Sequence, residues 1–319
     1  MEHYVTLFDS LYLPQGLALH MSMQRHLEQY TLWILCMDER SKELLTKLQL
    51  PNVRLLKLSE FETPELKKLR PERKTGEYCW TLTPFTPRFV FAEDASVSRV
   101  TYLDADLWFR KRPDAIFREL DASGKDVLIT DHSYAPEYDQ TVTSGQYCVQ
   151  FVTFARDGGE IVRKWWEERC VEWCFDRFED GKFGDQKYLD DWPERFSTHV
   201  HVLANPELTL APWNATRFPY GQCVTWHFHG LRILKPTAQS YAIDFGAYPL
   251  PRATRENVYL PYVTDLSRAI RLVQDAGGVV NAQAQYSFKN RTKAFLSSIY
   301  QQKWRLNFER IIRLRGLTP

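Results

Sequence analysis

The sequence predicts an α/β protein built on a mixed, mostly parallel sheet that is flanked by helices. Over the first 60 residues, short apolar runs alternate with segments whose apolar residues recur at helical spacing. The same alternation returns further along the chain. Strands that alternate with helices form a parallel sheet covered on both faces. The length of 319 residues allows one large domain or two smaller ones.

The strands are predicted from continuous apolar runs, and the helices from apolar residues spaced three or four apart. The predicted strands are YVTLF, TLWILCM, NVRLLKL, VTYLDAD, DVLITD, YCVQFVTFA and HVHVL. The predicted helices are LALHMSMQRHLEQY, DERSKELLTKL and a segment from about 159 to 178, and FEDGKFGDQKYLDDW opens another. The segments LAPWN, WHFHG and ILKPTAQSYAIDFGAYPLP are predicted as loops.

Composition and charge argue against several classes of protein. Hydrophobic residues make up 44% of the chain and charged residues 25%, as is normal for a globular protein. The net charge of +1 argues against a nucleic-acid partner. We expect neither a signal peptide nor a membrane span, because the N-terminus lacks a basic region and no run approaches about 18 apolar residues. Six cysteines without a CxxC pair favour a reducing, cytoplasmic location.

Two acidic residues, Asp104 and Asp106, follow the apolar run VTYL directly. Ligands of α/β proteins bind at the carboxyl ends of the strands, and residues i and i+2 of an extended segment point the same way. Two converging carboxylates repel each other unless a cation or a proton lies between them. Mn²⁺ or Mg²⁺ is the expected occupant, because such hard cations take oxygen ligands and bind phosphates. The alternative is a pair of surface acids in a turn.

The segment WHFHG contains His227 and His229 and ends in a glycine. Two histidines in such a loop, with Arg232 and Lys235 downstream, suggest a third metal ligand beside cations that bind a diphosphate. An exposed polar loop is the alternative.

A third candidate group is Asp185 and Gln186, at the start of a predicted helix. Capping of that helix by Asp185 is as good an explanation as a direct role. Capping does not account for Gln186.

Taken in order, these motifs resemble the nucleotide-sugar glycosyltransferases of GT-A fold, in particular the retaining family-eight enzymes and a related group of bacterial glycosyltransferase-like proteins. The resemblance covers roughly residues 1 to 236, from TLFDSLY through YLDAD, the Asp185–Gln186 pair and LAPWN to the H-x-x-G motif that starts at His227. It implies a metal held by Asp104, Asp106 and His227. It also implies catalytic roles for Asp185, which would hold sugar hydroxyls, and for Gln186, which would lie near the anomeric carbon. It implies nucleotide-sugar binding by Thr6, Asp9, Tyr12, Arg88, Asp104, Gln150, Asn214, Gly230 and Lys235.

The sequence departs from the family pattern at two places. Lys235 and Pro236 come five residues after the glycine of H-x-x-G, where the relatives have the pair three residues after it. In the strand YCVQF, Cys148, Val149 and Gln150 occupy the place of an Asn-small-Gly step that lines the donor-sugar pocket in the relatives.

The resemblance implies transfer of a sugar, from a UDP-sugar and with retention, to a glycan or lipid-linked acceptor in bacterial surface polysaccharide synthesis. One alternative is a sugar nucleotidyltransferase, although TLFDSLYLPQG lacks the glycine-rich, basic phosphate loop of such enzymes. Another is a catalytically silent protein of the same fold that binds membrane surfaces.

The C-terminal part of the sequence differs in charge from the rest. Residues 286–319 hold eight basic residues and one acidic residue, with six aromatic residues among them. Such a segment is typical of a peripheral contact with anionic membrane, and equally of a helix packed on an acidic surface. We expect a catalytic domain over residues 1–250 and a helical, basic and aromatic extension over 251–319.

Overall fold

The computed structural model describes residues 1–218, 220–237, 240–284 and 310–314. Its main element is a seven-stranded sheet with the order β3-β2-β1-β4-β7-β6-β8. Only β7 runs antiparallel to its neighbours, and the other pairs of adjacent strands are parallel. The predicted fold class, a mixed and mostly parallel sheet flanked by helices, is therefore confirmed.

The strands of the described residues are β1 Glu2–Phe8, β2 Tyr30–Cys36, β3 Val53–Lys57, β4 Arg99–Leu103, β5 Leu107–Phe109, β6 Val127–Asp131, β7 Tyr147–Ala155, β8 Val200–Val202, β9 Thr209–Leu210, β10 Thr225–His227, β11 Arg232–Thr237, β12 Ser240–Asp244 and β13 Ile311–Leu314. All seven predicted strands are present.

The α-helices of the same residues are α1 Leu13–His26, α2 Glu39–Leu48, α3 Leu58–Phe61, α4 Pro64–Leu69, α5 Thr75–Leu82, α6 Thr86–Glu93, α7 Asp114–Ser123, α8 Thr141–Ser144, α9 Glu160–Glu172, α10 Trp192–Arg195, α11 Arg252–Thr254 and α12 Leu260–Asp275. Short 3-10 helices cover Arg70–Glu72, Thr83–Phe85, Pro136–Tyr138, Gln186–Asp191, Pro206–Leu208 and Pro212–Asn214, and a π-helical turn covers Arg255–Tyr259.

The sequence determines these elements locally and through burial. Asp38 begins α2 by accepting a hydrogen bond from the N–H group of Ser41, and Gln49 ends it in the left-handed conformation. Six of the seven residues of β1 are buried, as are eight of the nine residues of β7. Strands covered on both faces read as continuous apolar runs, which is why the main sheet is visible in the sequence.

Two small sheets lie beside the main one, with the orders β5-β10-β9 and β11-β12-β13. The prediction of loops at WHFHG and ILKPTAQSYAIDFGAYPLP was therefore wrong in part, because these segments contain β10, β11 and β12. The sequence did not predict the hairpin of β11 and β12, because Pro236 argues against a strand. It lies on an edge strand, where the register of the pair shifts between Leu234 and Thr237. A proline is tolerated at such a place because its missing N–H group leaves no ladder bond unmade.

The segment predicted to open a helix near Asp185 forms a 3-10 helix, Gln186–Asp191, followed by the single turn of α10. Before it, residues 179 and 182 pair in an isolated antiparallel bridge. The prediction of helical structure was therefore correct from residue 186 onward, and wrong for the residues before it.

The C-terminal part of the chain is described only in pieces. The helix α12 packs along α1, and β13 extends the small sheet by pairing with β12. Most of the basic segment 286–319 lies outside the described residues, so the expected division at residue 250 and the role of that segment stay predictions. Within the described ranges, none of the helices has the length and apolar character needed to cross a membrane.

Asp265 attaches α12 to the rest of the protein. This residue is 3% exposed, and its carboxylate accepts hydrogen bonds from the Arg25 guanidinium of α1 and, at 2.8 Å, from the Trp108 indole of β5. The Phe109 N–H group also donates to the Ser22 hydroxyl of α1, at 2.9 Å. These contacts fix β5 relative to both helices.

We predict that Asp265→Ala lowers the free energy of unfolding by about 2 kcal/mol, because the buried Trp108 N–H group loses its acceptor. Chemical denaturation monitored by circular dichroism measures the change. Asp275→Ala, at an exposed position of the same helix, is the matched control and should change stability by less than about 0.5 kcal/mol. Equal effects of the two substitutions would contradict an anchoring role for Asp265.

Candidate active site

The candidate site lies at the carboxyl end of β4. The strand ends at Leu103, and the chain turns through Asp104 and Asp106 into β5. The Asp104 N–H group donates to the carbonyl oxygen of Gln150 on β7, at 3.1 Å, and the Leu107 N–H group donates to the carbonyl oxygen of Asp104, also at 3.1 Å. These bonds hold both acidic residues at the edge of the sheet where ligands of α/β proteins bind.

His227 reaches the two acids through strand pairing. Strand β10 runs antiparallel to β5 with His227 opposite Leu107, and the Phe228 N–H group donates to the Asp106 carbonyl oxygen at 3.0 Å. The Nε2 atom of His227 lies 3.1 Å from Oδ1 of Asp106 and 3.6 Å from Oδ2 of Asp104. One ligand atom from each of the three side chains lies within 4.8 Å of the others. The structure therefore brings together the three residues predicted as metal ligands.

The electrostatics of this cluster require positive charge. Burial raises the pKa of Asp104, with the attraction of His227 opposing it and the repulsion of Asp106 adding to it. Burial would also raise the pKa of Asp106, but the charge and hydrogen bond of His227 hold it below the ordinary value. Burial would lower the pKa of His227, and the two carboxylates raise it well above the ordinary value. Two carboxylate oxygens and an imidazole nitrogen form a donor set that fits Mn²⁺ or Mg²⁺ in chemistry.

A hydroxyl group that the sequence analysis missed supports the cluster. The Tyr102 hydroxyl donates to Oδ1 of Asp104 at 3.0 Å. Tyr102 lies on β4, two residues before Asp104, so the i, i+2 rule could have identified it. Such a bond orients a carboxylate that ligates a metal.

Asp185 and Gln186 lie at the side of the cluster. Asp185 is 5% exposed, and burial, followed by the negative charge of Asp104, raises its pKa to about 8. The same carboxyl group receives a hydrogen bond from Thr83, which the sequence analysis missed. The Gln186 side-chain N–H group donates to the carbonyl oxygen of Ser144 at 2.8 Å. In the described part of the chain, Asp185 makes no side-chain capping bond to the helix that it precedes, so capping does not explain it.

The residues predicted to hold the nucleoside follow β1. Thr6 is buried within that strand, and Oδ1 of Asp9 accepts hydrogen bonds from the N–H groups of Leu11 and Tyr12, at 3.0 and 3.2 Å. Burial raises the pKa of Tyr12, and Arg232 and Asp106 are among the charged groups that act on it. Asp9 thus shapes the turn that leads from β1 to Tyr12 and α1.

Gln150 and Asn214 differ in what their amides can do. The Oε1 atom of Gln150 is buried and has no hydrogen-bond partner among the described residues. Asn214 donates from Nδ2 to the carbonyl oxygen of His132 at 3.0 Å, and its Oδ1 accepts from the Ala211 N–H group at 3.0 Å. Asn214 thus joins the loop before β10 to the end of β6, whereas Gln150 carries an acceptor atom that remains to be paired.

Two predicted binding residues have their contacts elsewhere. The Arg88 guanidinium lies 3.3 Å from a carboxylate oxygen of Glu167 and over the ring of Phe85. The Lys235 ammonium group lies 5.8 Å from the centre of the Tyr241 ring. No contact found among the described residues joins either side chain to the metal cluster, and their roles stay predictions.

Arg232 begins β11, and its guanidinium donates to the Leu231 carbonyl oxygen at 2.8 Å. Burial, followed by the charges of His227 and Arg232, lowers the pKa of His229 to about 4. Gly230 precedes Arg232 with a φ of 77°, which lets the chain turn from β10 into β11. The carbonyl oxygen of Gly230 would lie 3.1 Å from a Cβ atom built on Gly246, so the two backbones pass close together.

No protein-family model matches the sequence. Two proteins of Bacillus subtilis (strain 168) are similar to it. The uncharacterized protein YfnD is 28% identical over 292 residues, which cover 86% of this chain and 91% of YfnD. The uncharacterized protein YfnF is 32% identical over 256 residues, which cover 72% of this chain and 82% of YfnF. Fold and site define an α/β protein with a candidate metal centre at the edge of its sheet. The chain belongs to the same protein family as YfnF.

Solved structures of glycosyltransferases are similar to the chain at low identity. Mouse xyloside xylosyltransferase 1 has a TM-score of 0.48 and 16% identity, over 72% of this chain and 97% of that one. The galactosyltransferase LgtC, in complex with donor and acceptor sugar analogues, has a TM-score of 0.47 and 14% identity, over 91% and 99% of the two chains. The glycosyltransferase GlyE of Streptococcus pneumoniae has a TM-score of 0.48 and 14% identity, over 89% and 67%. We therefore argue the function from the site itself.

We predict that His227→Ala weakens Mn²⁺ binding by at least about tenfold, because, of the two histidines in this segment, His227 directs a ring nitrogen at both carboxylates. Isothermal titration calorimetry with Mn²⁺ measures the affinity. His229→Ala is the matched control, since its ring lies 5.8 Å from that of His227 in the same segment. A larger loss in His229→Ala than in His227→Ala would assign the metal ligand to the other histidine.

Proposed function

We propose that the protein is a metal-dependent glycosyltransferase of the GT-A type. It moves a sugar from a nucleotide diphosphate sugar, a UDP-sugar, to a glycan or lipid-linked acceptor with retention, in the synthesis of bacterial surface polysaccharide. The observation that carries this proposal is the convergence of Asp104, Asp106 and His227 at the carboxyl edge of a nucleotide-binding type of sheet. The order of the motifs along the chain supports the same class.

The site supplies the parts that a sugar transfer needs. The bond between the anomeric carbon and the diphosphate oxygen breaks, and a bond from that carbon to the oxygen of an acceptor hydroxyl forms. The O–H bond of the acceptor breaks at the same centre, and its proton passes to the departing diphosphate. Asp104, Asp106 and His227 would hold a divalent cation, which neutralises negative charge on the leaving diphosphate. Arg232, two residues after the H-x-x-G motif, and Tyr12, in the turn after β1, are suited to bind the diphosphate.

The side chains expected to contact the sugar are suited to hydrogen bonding. Burial, followed by the negative charge of Asp104, raises the pKa of Asp185 to about 8, and its carboxyl group is suited to form a hydrogen bond with a sugar hydroxyl. Gln186 is held by the Ser144 carbonyl oxygen, and its own amide oxygen is suited to lie near the anomeric carbon. The unpaired Oε1 of Gln150 is an acceptor for another hydroxyl.

Two alternatives make different predictions. A sugar nucleotidyltransferase would consume a nucleoside triphosphate and a sugar 1-phosphate and release pyrophosphate. A catalytically silent binding protein would bind a nucleotide sugar without hydrolysing it, and it would gain nothing from three converging ligands whose charges must be compensated. We also propose that residues 286–319 attach the protein to the membrane surface. The positive charge of that segment is the support for this part of the proposal.

A thermal-shift screen of nucleotide sugars with Mn²⁺, followed by a hydrolysis assay, tests the proposal. A bound donor stabilises the folded state by mass action, so the true donor should raise Tm only when Mn²⁺ is present. Slow, Mn²⁺-dependent release of the nucleoside diphosphate should accompany the shift. Binding without hydrolysis would favour the silent protein, and consumption of a nucleoside triphosphate with a sugar 1-phosphate would favour the nucleotidyltransferase.

We predict that Asp106→Asn lowers the rate of donor hydrolysis by at least about 100-fold, because the developing charge on the diphosphate loses its compensation. Donor affinity should fall as well, with the circular dichroism spectrum unchanged. Asp121→Asn changes an exposed carboxylate that pairs with Arg99, and it should leave the rate as in the wild type. Full Mn²⁺-dependent activity in Asp106→Asn would refute the metal assignment.

We predict that Gln186→Ala lowers kcat more than it changes donor affinity, because its place is beside the reacting carbon. Steady-state kinetics with the donor found in the screen separate the two effects. Gln146→Ala, which removes an amide bonded to Asp131 in the neighbouring loop, is the control and should alter kcat less. Loss of affinity with kcat unchanged would assign Gln186 to binding alone.

A further inference from the structure

Three tyrosines beside the candidate metal centre are half-buried and share one surface. They are Tyr134, which follows β6, Tyr138 in the next 3-10 helix, and Tyr248, which follows β12; we call them the tyrosine shelf. All three pack against a small buried group formed by Cys148, Ala211 and Trp213. None of the roles assigned above uses them.

Trp213 connects the tyrosine shelf to the metal centre. Its ring centre lies 6.1 Å from that of Tyr134 and 5.5 Å from those of His227 and His229. On the other side, the His229 ring lies 6.4 Å from that of Tyr248. The shelf is therefore separated from the ligand His227 by a single layer of rings.

The shelf is held rigidly from below. The Tyr134 ring stacks on the buried His132 ring, with centres 4.7 Å apart and planes at 12°. The Trp213 indole donates to the His132 carbonyl oxygen at 2.8 Å, and the Ala135 N–H group donates to the Trp213 carbonyl oxygen at 3.0 Å. Rings fixed in this way lose little conformational freedom when a ligand covers them.

Polar groups lie at the rim of the shelf. Asp139 follows Tyr138 directly in the chain, and its Oδ1 atom accepts a hydrogen bond from the Thr141 N–H group at 2.9 Å. The Gln140 side-chain amide donates to the Tyr248 hydroxyl at 2.9 Å. The Ser144 hydroxyl donates to the Gln140 side-chain oxygen at 3.3 Å, and the Ser144 carbonyl oxygen accepts from the Gln186 amide at 2.8 Å. This chain of hydrogen bonds places the shelf on the Gln186 side of the site.

A pyranose ring matches such a surface in chemistry. It presents C–H groups on one face, which pack on aromatic rings, and hydroxyl groups around its edge, which donate to carboxylates. A lipid or an apolar peptide would pack on the rings but would offer no hydrogen bonds to the Asp139 carboxylate and the Gln140 amide at the rim. The combination of rings and polar groups thus favours a sugar over a purely apolar ligand.

We propose that the tyrosine shelf is the subsite for the acceptor, and that it binds a pyranose ring by stacking on Tyr138 and Tyr248, with hydroxyl groups directed at the polar groups of the rim. That the bound sugar is the acceptor rests on the proposed function, whereas the binding of a sugar ring to the shelf can be tested independently. The acceptor is accordingly a glycan, or the sugar end of a lipid-linked glycan.

Saturation-transfer difference NMR on the full chain, without any nucleotide sugar, tests the shelf directly. The probes are methyl β-D-galactopyranoside, methyl α-D-glucopyranoside and methyl α-D-mannopyranoside. We expect saturation of the ring C–H protons of at least one probe in the wild type. Tyr248→Ala should weaken binding of that probe by about 3- to 10-fold, the loss of one stacking contact, whereas Tyr248→Phe should retain most of the binding.

Two controls separate this loss from unfolding. Phe178→Ala removes an exposed aromatic side chain, 48% accessible, outside the shelf and should leave the signal unchanged. Mn²⁺ titration of Tyr248→Ala should give the wild-type affinity, because the metal ligands are intact. Tyr138→Ala provides a second shelf variant if Tyr248→Ala fails to fold.

The outcomes distinguish the shelf from the proposed function. If none of the three probes is saturated in the wild type, or if both alanine variants bind as the wild type does, the shelf proposal is overturned. If a probe binds through the shelf but the wild type hydrolyses no nucleotide sugar, the sugar subsite stands and the transferase proposal fails. If nucleotide-sugar hydrolysis persists in Tyr248→Ala while probe binding is lost, both proposals are supported, since water then replaces the acceptor.

Discussion

The repulsion between Asp104 and Asp106 is the constraint on which the arrangement of this protein depends. The end of β4 places both carboxylates at one edge of the sheet, where the Gln150 carbonyl oxygen fixes the first of them. Two such charges in a partly buried site are unfavourable without a compensating positive group. His227 supplies one part of the compensation, through an Nε2 atom 3.1 Å from Asp106.

Much of the structure outside the main sheet serves to bring His227 to the acids. Strand β10 reaches its place by pairing with β5, which is only three residues long. Such a short strand contributes few ladder bonds, so its position depends on other contacts. Ser22 of α1 accepts from the Phe109 N–H group, and Asp265 of α12 accepts from the Trp108 indole. A helix more than 150 residues away in sequence therefore stabilises the strand that positions the metal ligand.

The sequence predicted the main sheet well and the small sheets poorly, for a physical reason. Strands such as β1 and β7 are covered on both faces and read as apolar runs. Strands β5 and β10 have three residues each, and their pairing joins segments more than 100 residues apart. Nothing local in the sequence reports such pairing. Pro236 also concealed β11, because only the register shift of the finished hairpin makes a proline acceptable there.

The difference between local and long-range contacts also explains which site residues could be predicted from the sequence. The spacing D-x-D and H-x-x-G depends on local geometry, and the structure brings these three ligands together. The resemblance implied nucleotide-sugar binding for Arg88, Asn214 and Lys235. Each of these side chains contacts another residue of the protein, which the sequence does not reveal. Whether a polar group is available to a ligand depends on partners that only the folded chain supplies.

The two cations that follow Gly230 have different surroundings. Arg232 and Lys235 both belong to β11, whose pairing with β12 shifts in register between Leu234 and Thr237. The Arg232 guanidinium donates to the Leu231 carbonyl oxygen at 2.8 Å, whereas the Lys235 ammonium group lies 5.8 Å from the centre of the Tyr241 ring. A guanidinium group can bind two phosphate oxygens at once with fixed geometry, and an ammonium group acts as a point charge. Under the proposed function, we therefore expect Arg232 rather than Lys235 to bind the diphosphate.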